Sequence, residues 1–398
     1  MRIGNTIYLD HQATTPVDSR VWQEMLPYHA QEFGNPHSVD HAMGWKAAKA
    51  VEHATGRLAR FIGADPDEIV FTSGATEANN LAVLGVGRRA AGGRRRRVLV
   101  SAAEHRCVLA AARALCMQLD FTIEQIPVNS AGHVDAAVLQ DMLGDDVLLV
   151  SIMAVNNEIG TIQDIGDLSR AIKSAGALFH CDAAQAPLAL DLRTITPHSD
   201  LLSLSAHKMY GPKGIGALYI RRGLHSRIEP LIYGGGQQRN LRSGTLPVPL
   251  CVGMGFAAEL FLSAEVQQAR EQLRRRRDRF LQEMLALPWA ISLNGPPSES
   301  RHPGNLNLRF PAFSAADILN ATQPRLAAST GAACTSGIPE PSHVLRAIGL
   351  SGDEADSSIR FSLGLATTDE ELDEAVDILN STLEQLRPAD SPLASSVR

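Results

Sequence analysis

From about residue 45 to 260, short apolar runs alternate with amphipathic stretches, and Gly, Pro, Asn or Asp punctuates the joints. The runs at 68–71, 98–101, 147–153, 178–182, 201–205 and 216–220 are apolar along most of their length. Strands without a polar face belong inside a sheet covered on both sides. Between them, 41–62, 76–91, 106–119 and 165–175 repeat apolar residues at helical spacing. Short strands alternating with helices predict an α/β fold built on a largely parallel sheet. Ligands of such sheets collect beyond the carboxyl ends of the strands.

Past residue 260 the pattern changes. A helix rich in Arg, Glu and Gln (264–285) precedes a Pro/Ser-rich break (294–303), the segment 305–310 and a closing helix (370–386). A chain of 398 residues exceeds what one core usually organises. The expected division is a large domain at 16–260 and a smaller α+β domain made of 1–15 and 261–398. The last dozen residues, rich in Ser, Pro and Ala, are expected to fray.

Composition narrows the function. A net charge of -6 opposes a dominant phosphate-backbone partner, so direct binding of nucleic acid is not expected. The arginine runs at 94–97 and 274–277 read as solvated faces. Nothing resembles an apolar membrane span, and Met1-Arg2-Ile3-Gly4 opens no apolar leader, so a cytoplasmic protein without a membrane partner is expected. Cys107, Cys116, Cys181, Cys251 and Cys334 are odd in number and form no Cys-x-x-Cys pair. That speaks against a disulfide framework or a structural zinc. His37, His41 and His105 lack a paired ligand motif, and no metal is expected.

Candidate chemistry gathers at strand ends. His180-Cys181-Asp182-Ala183-Ala184-Gln185 places an acid where an apolar strand stops. A buried carboxylate needs a positive partner to stay ionised, and a protonated pyridine nitrogen would be one. The next apolar strand ends in Ser203-Leu204-Ser205-Ala206-His207-Lys208, followed by Gly211-Pro212-Lys213-Gly214. A lysine there is suited to condensing with an aldehyde cofactor, and its small, hydroxylated neighbours allow close approach to a phosphate. Upstream, Phe71-Thr72-Ser73-Gly74-Ala75-Thr76-Glu77 joins a strand to a helix. The unpaired N–H groups of a helix N-terminus form a natural phosphate cradle.

These motifs resemble fold-type I pyridoxal-phosphate (PLP) enzymes of the class V aminotransferase group, and within it the group I cysteine desulfurases of the iron-sulfur-cluster and nitrogen-fixation type. The resemblance runs from Tyr8 to about Leu386. Further landmarks are Leu9-Asp10-His11-Gln12-Ala13-Thr14-Thr15-Pro16, Phe33-Gly34-Asn35-Pro36-His37-Ser38, Val155-Asn156-Asn157-Glu158-Ile159-Gly160 and Arg242-Ser243-Gly244-Thr245-Leu246-Pro247. It implies that Lys208 is the Schiff-base lysine and Asp182 the partner of the pyridine nitrogen. Gln185 resembles the donor to the ring hydroxyl, and His105 the histidine stacked on the ring. Ala75, Thr76, Ser205 and His207 are placed to hold the phosphate, and Thr245 to reach the site of the other subunit of a homodimer. Asn157 and Arg360 resemble the residues that hold the substrate carboxylate, and Asn35 is grouped with them. Ala206 and Leu365 stand where the family commonly has Gly and Arg.

The segment Ala327 to Gly337 is small, polar and glycine-containing, so it reads as a mobile loop with a reachable thiol at Cys334. Gly331-Ala332-Ala333-Cys334-Thr335-Ser336 resembles the active-site loop of group I desulfurases, a loop placed here at about 327–340. The resemblance implies that L-cysteine becomes L-alanine, with sulfur passing to Cys334 as a persulfide and then to an acceptor protein. That acceptor would serve iron-sulfur assembly, tRNA thiolation or DNA phosphorothioation. Because the chain stops at Val397-Arg398, docking of a scaffold through a longer tail is not expected. One alternative is another class V reaction such as selenocysteine lysis, kynurenine cleavage or transamination. A second is a non-catalytic sulfur-carrier or assembly subunit, against which Lys208, Asp182 and His105 argue.

Overall fold

A computed structural model describes residues 1–331 and 341–387; Cys334 lies outside the described residues. Its centre is a seven-stranded sheet in the spatial order Ile69–Thr72, Gly216–Ile220, Leu201–Ser205, Leu178–Asp182, Val147–Ser151, Arg97–Ser101, Thr122–Ile126. Every neighbouring pair is parallel except those made by Gly216–Ile220, which runs antiparallel to both of its partners. The inner parallel strands are buried and largely apolar because helices cover both faces. Val98, Val100, Leu149, Leu201 and Leu218 pack against the side of Ala75–Arg89 and Arg106–Leu119. Leu99, Val150, Phe179, Leu202 and Leu204 pack against the side of Ala42–Ile62, Ile165–Ser174 and Val248–Phe261.

Local chemistry sets the helix ends. His41 caps Ala42–Ile62 by accepting from the Gly44 N–H, and Gly63 ends it in the left-handed region at φ +75°. The closing helix Asp369–Gln385 begins with a capping box between Thr368 and Glu371. The expected strand at 147–153 ends sooner, at Ser151. Two further elements differ from the sequence pattern. Thr122–Ile126 is an edge strand with exposed polar positions, so it lacks an apolar run. Val248–Phe261 is apolar all round because it is buried, with Gly255 crossing so close that a Cβ would lie 2.6 Å from the Ala54 Cα.

A smaller α+β part stands beside the sheet. Ser292–Leu293, Asn305–Arg309 and Ser358–Ser362 form an antiparallel sheet, and Ala264–Ala286, Ala315–Ala321 and Asp369–Gln385 share a core with it. The N-terminal strands Arg2–Ile3 and Thr6–Tyr8 pair with each other, and Thr6–Tyr8 runs parallel to Leu326–Ala327. The chain then bridges Asp10 to Ser362, and Gln12 and Ala13 reach the carboxyl ends of the large sheet. Among the described residues no single helix is long and apolar enough to cross a membrane.

Candidate active site

Strand ends from the large sheet, the segment at 10–14 and Arg360 of the small sheet surround one cavity of about 740 Å³. Asp182, the last residue of its strand, is 4% exposed. Its Oδ2 accepts from Asn79 Nδ2 at 2.7 Å and its Oδ1 from the Ala184 N–H at 2.9 Å. Both donors are neutral, so this buried carboxylate is left to pair with a cation placed in the cavity.

Lys208 follows the neighbouring strand Leu201–Ser205 in a single 3₁₀ turn. Its Nζ donates to the carbonyl oxygens of Gln12 and, at 2.8 Å, Ala13. Burial, and after it the Arg360 guanidinium, pushes the Lys208 pKa down to about 8 against the pull of Asp10 and Asp182. The free amine therefore forms much nearer neutral pH than that of an ordinary lysine. His105 is the N-cap of Arg106–Leu119, and its Nδ1 accepts from the Cys107 N–H at 3.2 Å. The neutral ring then carries its proton on Nε2. Burial is the main cause that holds His105 below the ordinary histidine range, with Lys208 and His343 adding to it.

The opposite end of the cavity suits an anion. The N-terminus of Ala75–Arg89 opens there, with Ser205, His207 and Lys213 also on the wall. Gly216 lets this end close up: a Cβ there would lie 2.5 Å from the Leu204 carbonyl oxygen and 2.6 Å from the Gly74 Cα. Burial, Lys208 and Lys213 push the His207 pKa down to about 4, so its ring is neutral. A carboxylate for a ring nitrogen, an amine for an aldehyde and a helix N-terminus for a phosphate thus share one cavity. That donor set fits PLP.

The guanidinium of Arg360 supplies the remaining charge. Its Nη1 donates to the Asn157 carbonyl at 2.8 Å, Nη2 pairs with Asp10 at 2.7 Å, and the buried Nε has no hydrogen-bond partner among the described residues.

Ten of the residues singled out in the sequence line the cavity: Ala75, Thr76, His105, Asn157, Asp182, Gln185, Ser205, His207, Lys208 and Arg360. Gln185 Nε2 donates to the Gln12 carbonyl at 2.9 Å. Asn35 and Thr245 lie elsewhere in this chain, both exposed. Asn35 uses its Oδ1 locally, accepting from the His37 N–H at 2.9 Å. Asn79, Cys107 and Glu158 also line the cavity; no pattern in the sequence pointed to Asn79, Cys107 read as a helix residue, and Glu158 stood only within a family landmark. Cys107 had no signal beyond its helix, yet its Sγ is 3.0 Å from His105 Nδ1 and 3.2 Å from Asn79 Nδ2. Burial, and then Asp182, pushes its thiol up to about 12.

Fold and cavity together define a class of protein. The sequence matches the class V aminotransferase family over residues 7–375, and the chain belongs to that family. Within it the chain is similar to cysteine desulfurases. It is 45% identical to the cysteine desulfurase IscS of Rickettsia typhi over 97% of this chain and 93% of that protein, and 45% identical to that of Rickettsia prowazekii over 96% and 92%. Among solved structures, a NifS-like protein superposes with a TM-score of 0.88 at 35% identity, covering 96% of this chain and 100% of that one. SspA in complex with cysteine gives 0.79 at 36% identity over 91% and 100%. DndA from Streptomyces lividans gives 0.75 at 38% identity over 89% and 99%. The family, the fold-type I architecture and the enzyme class expected from the sequence all hold.

Proposed function

We propose that this chain converts L-cysteine to L-alanine and moves the sulfur onto Cys334. The observation that carries the reading is the convergence of the Lys208 amine, the Asp182 carboxylate and the Arg360 guanidinium on one cavity. Bound there, PLP supplies an electron-poor ring that takes up the charge left when the α proton leaves the substrate.

The chain's own residues do the rest. Asp182 keeps the ring nitrogen protonated, and Gln185 donates to the ring hydroxyl. Ala75, Thr76, Ser205 and His207 hold the phosphate. Arg360, aimed by Asp10 and the Asn157 carbonyl, grips the substrate carboxylate with its free N–H groups. Lys208, with a pKa of about 8, takes the α proton once its amine is free. His105 moves protons at the substrate sulfur. The Cys334 thiolate attacks that sulfur: the new S–S bond forms as the C–S bond breaks, its electron pair stays with the carbon skeleton, and a proton completes alanine. The balance is L-cysteine plus Cys334 thiol giving L-alanine plus Cys334 persulfide, whose outer sulfur passes to an acceptor protein.

The working unit is a cytoplasmic homodimer in this reading. Phe33 is 65% and Trp45 60% exposed, and Thr245 is solvent-facing, as expected of a segment that reaches a partner's cavity. The test is to incubate the holoenzyme with L-cysteine and a thiol reductant, measuring sulfide and alanine for the parent, Cys334→Ala and Lys208→Ala. Equal amounts of both products from the parent and neither from the variants support the reading. Full activity in Cys334→Ala sinks it.

A further inference from the structure

Lys208 rests on the N-terminal segment, and that segment is held by a buried amide from the small sheet. The Lys208 Nζ donates to the carbonyl oxygens of Gln12 and Ala13. An amine that has condensed with an aldehyde keeps at most one N–H, so it cannot hold both carbonyls at once. The two carbonyls are therefore where the amine lies when it is free. Gln185 Nε2 donates to the same Gln12 carbonyl at 2.9 Å.

Gln12 is pinned to two paired strands of the small sheet. Its N–H donates to Ser362 Oγ at 2.9 Å, and its side chain meets Asn305, the register partner of Ser362. Asn305 is fully buried. Its Oδ1 accepts from Arg301 Nη1 at 2.8 Å, while its Nδ2 donates to Gln12 Oε1 at 2.5 Å and to the Glu158 carbonyl at 3.1 Å. Arginine has only donors, so the Asn305 atom facing it must be oxygen, which turns the nitrogen toward Gln12. Gln12 in turn must offer its oxygen, and its buried Nε2 has no hydrogen-bond partner among the described residues. The two bonds of Asn305 Nδ2 differ in what depends on them. The Glu158 carbonyl has a second donor, Asn307 Nδ2 at 3.3 Å, whereas among the described residues the Gln12 side chain has Asn305 alone.

We propose that Asn305 is a positioning residue that, through the Gln12 amide, holds the pair of carbonyls on which the freed Lys208 amine rests, and so sets how fast that amine moves the α proton. The inference rests on the reading of Lys208 as the base at the α carbon. It gives Asn305 no contact with substrate or cofactor. Arg360 keeps Asp10 and the Asn157 carbonyl when Asn305 is replaced, so substrate affinity is left alone.

The experiment compares the PLP-loaded parent, Asn305→Leu, Gln12→Leu, the Asn305→Leu/Gln12→Leu double variant and Lys208→Ala. L-Alanine, the product, is the probe: by microscopic reversibility Lys208 removes its α proton, and no sulfur step is involved. Three quantities are read: the rate at which that proton is replaced in D2O, followed by NMR; the L-alanine concentration that gives half this rate; and the PLP kept through dialysis, followed by absorbance. Asn305→Leu and Gln12→Leu are each expected to slow the exchange about tenfold, the size of one lost buried hydrogen bond, with the half-saturating concentration and PLP retention of the parent. Gln12→Leu leaves the acceptor of Arg301 intact, and keeps the test alive should Asn305→Leu fail to fold. The double variant is no slower than the slower single one, because both remove the same bond. Exchange at the parent's rate in Gln12→Leu, losses that multiply in the double variant, or loss of PLP along with exchange overturn the proposal. Failure of the parent to exchange, or exchange that survives in Lys208→Ala, overturns the reading of Lys208 as the α base instead.

Discussion

Arg360 Nη2 lies 2.7 Å from Asp10 Oδ1, a pair 350 residues apart in the chain. The contact joins the N-terminal segment to the strand Ser358–Ser362 at the wall of the cavity. It fixes one edge of the guanidinium, the Asn157 carbonyl fixes another, and the buried Nε is left without a partner among the described residues. An arginine held this way is pre-aimed, so its binding of a carboxylate costs little further side-chain entropy.

Arg360→Lys is therefore expected to be far from conservative. Lysine keeps the charge but loses the planar fork and cannot satisfy Asp10, Asn157 and a substrate carboxylate together. Losing a charge-assisted pair of hydrogen bonds corresponds to roughly a 10- to 100-fold rise in KM for L-cysteine. Steady-state kinetics with alanine as the readout checks this, and an unchanged KM removes Arg360 from substrate binding.

Lys208 carries a pH-dependent cost that can be measured as stability. Its pKa falls from 10.5 to about 8 on folding. Below pH 8 the amine is protonated in both folded and unfolded chains, and the folded state bears the whole burden of the buried cation. Between pH 8 and 10.5 the unfolded chain binds more protons, so this group's contribution to stability improves as pH rises. In cofactor-free protein at pH 7, Lys208→Met is expected to be more stable than the parent by about 3 kcal/mol, with the gap closing above pH 8. Denaturant unfolding at pH 7 and pH 9.5 reads both values; a constant gap would mean that burial of charge is not the cause.

Much of this site was legible in the sequence, and its unread parts have physical reasons. Asp182, Lys208 and the Gly74-Ala75-Thr76 turn stand where strands end, so residue type and position carried the same message. The apolar strands were plain because both faces of the sheet are covered. Thr122–Ile126 was hidden by its edge position, and Val248–Phe261 by burial all round, which erases the helical stripe. Asn79 and Cys107 reach the cavity from two helices that touch only in three dimensions, and no local pattern announces such a contact. Asn35 and Thr245 carried family motifs but lie on exposed segments of this chain.

Asn79 offers a prediction that starts from that contact. It donates to Asp182 Oδ2 at 2.7 Å inside the protein. In Asn79→Ala the carboxylate loses a buried donor, a change worth about 1–3 kcal/mol. Asp182, less firmly oriented, then holds a protonated ring nitrogen less tightly. Retention of PLP, followed by absorbance through dialysis, is expected to weaken on the order of tenfold. Asn79→Asp should weaken it more, since two carboxylates at 2.7 Å repel. Equal retention in all three proteins would show that Asn79 only packs.

Gly216 is a position where a single methyl group would wedge apart the anion-binding end of the cavity. It is paired with Thr72 on one side and Ser205 on the other, and so sits between the two strand ends that bring the anion-binding groups together. A Cβ there would lie 2.5 Å from the Leu204 carbonyl oxygen and 2.6 Å from the C and Cα atoms of Gly74. All three are backbone atoms, which cannot swing aside as the tip of a side chain can. The strands or the start of Ala75–Arg89 must move, and overpacking of this kind costs about 1–3 kcal/mol. Because the shift falls at the helix N-terminus, the loss should reach past stability. Gly216→Ala is expected to melt several degrees lower and to release PLP faster than the parent, whereas a purely global destabilisation would lower the melting temperature and leave retention at 25 °C unchanged. Calorimetry and absorbance on the same sample separate the two, and a variant that melts low but keeps its cofactor would show that Ser205 and the helix N-terminus tolerate the wedge.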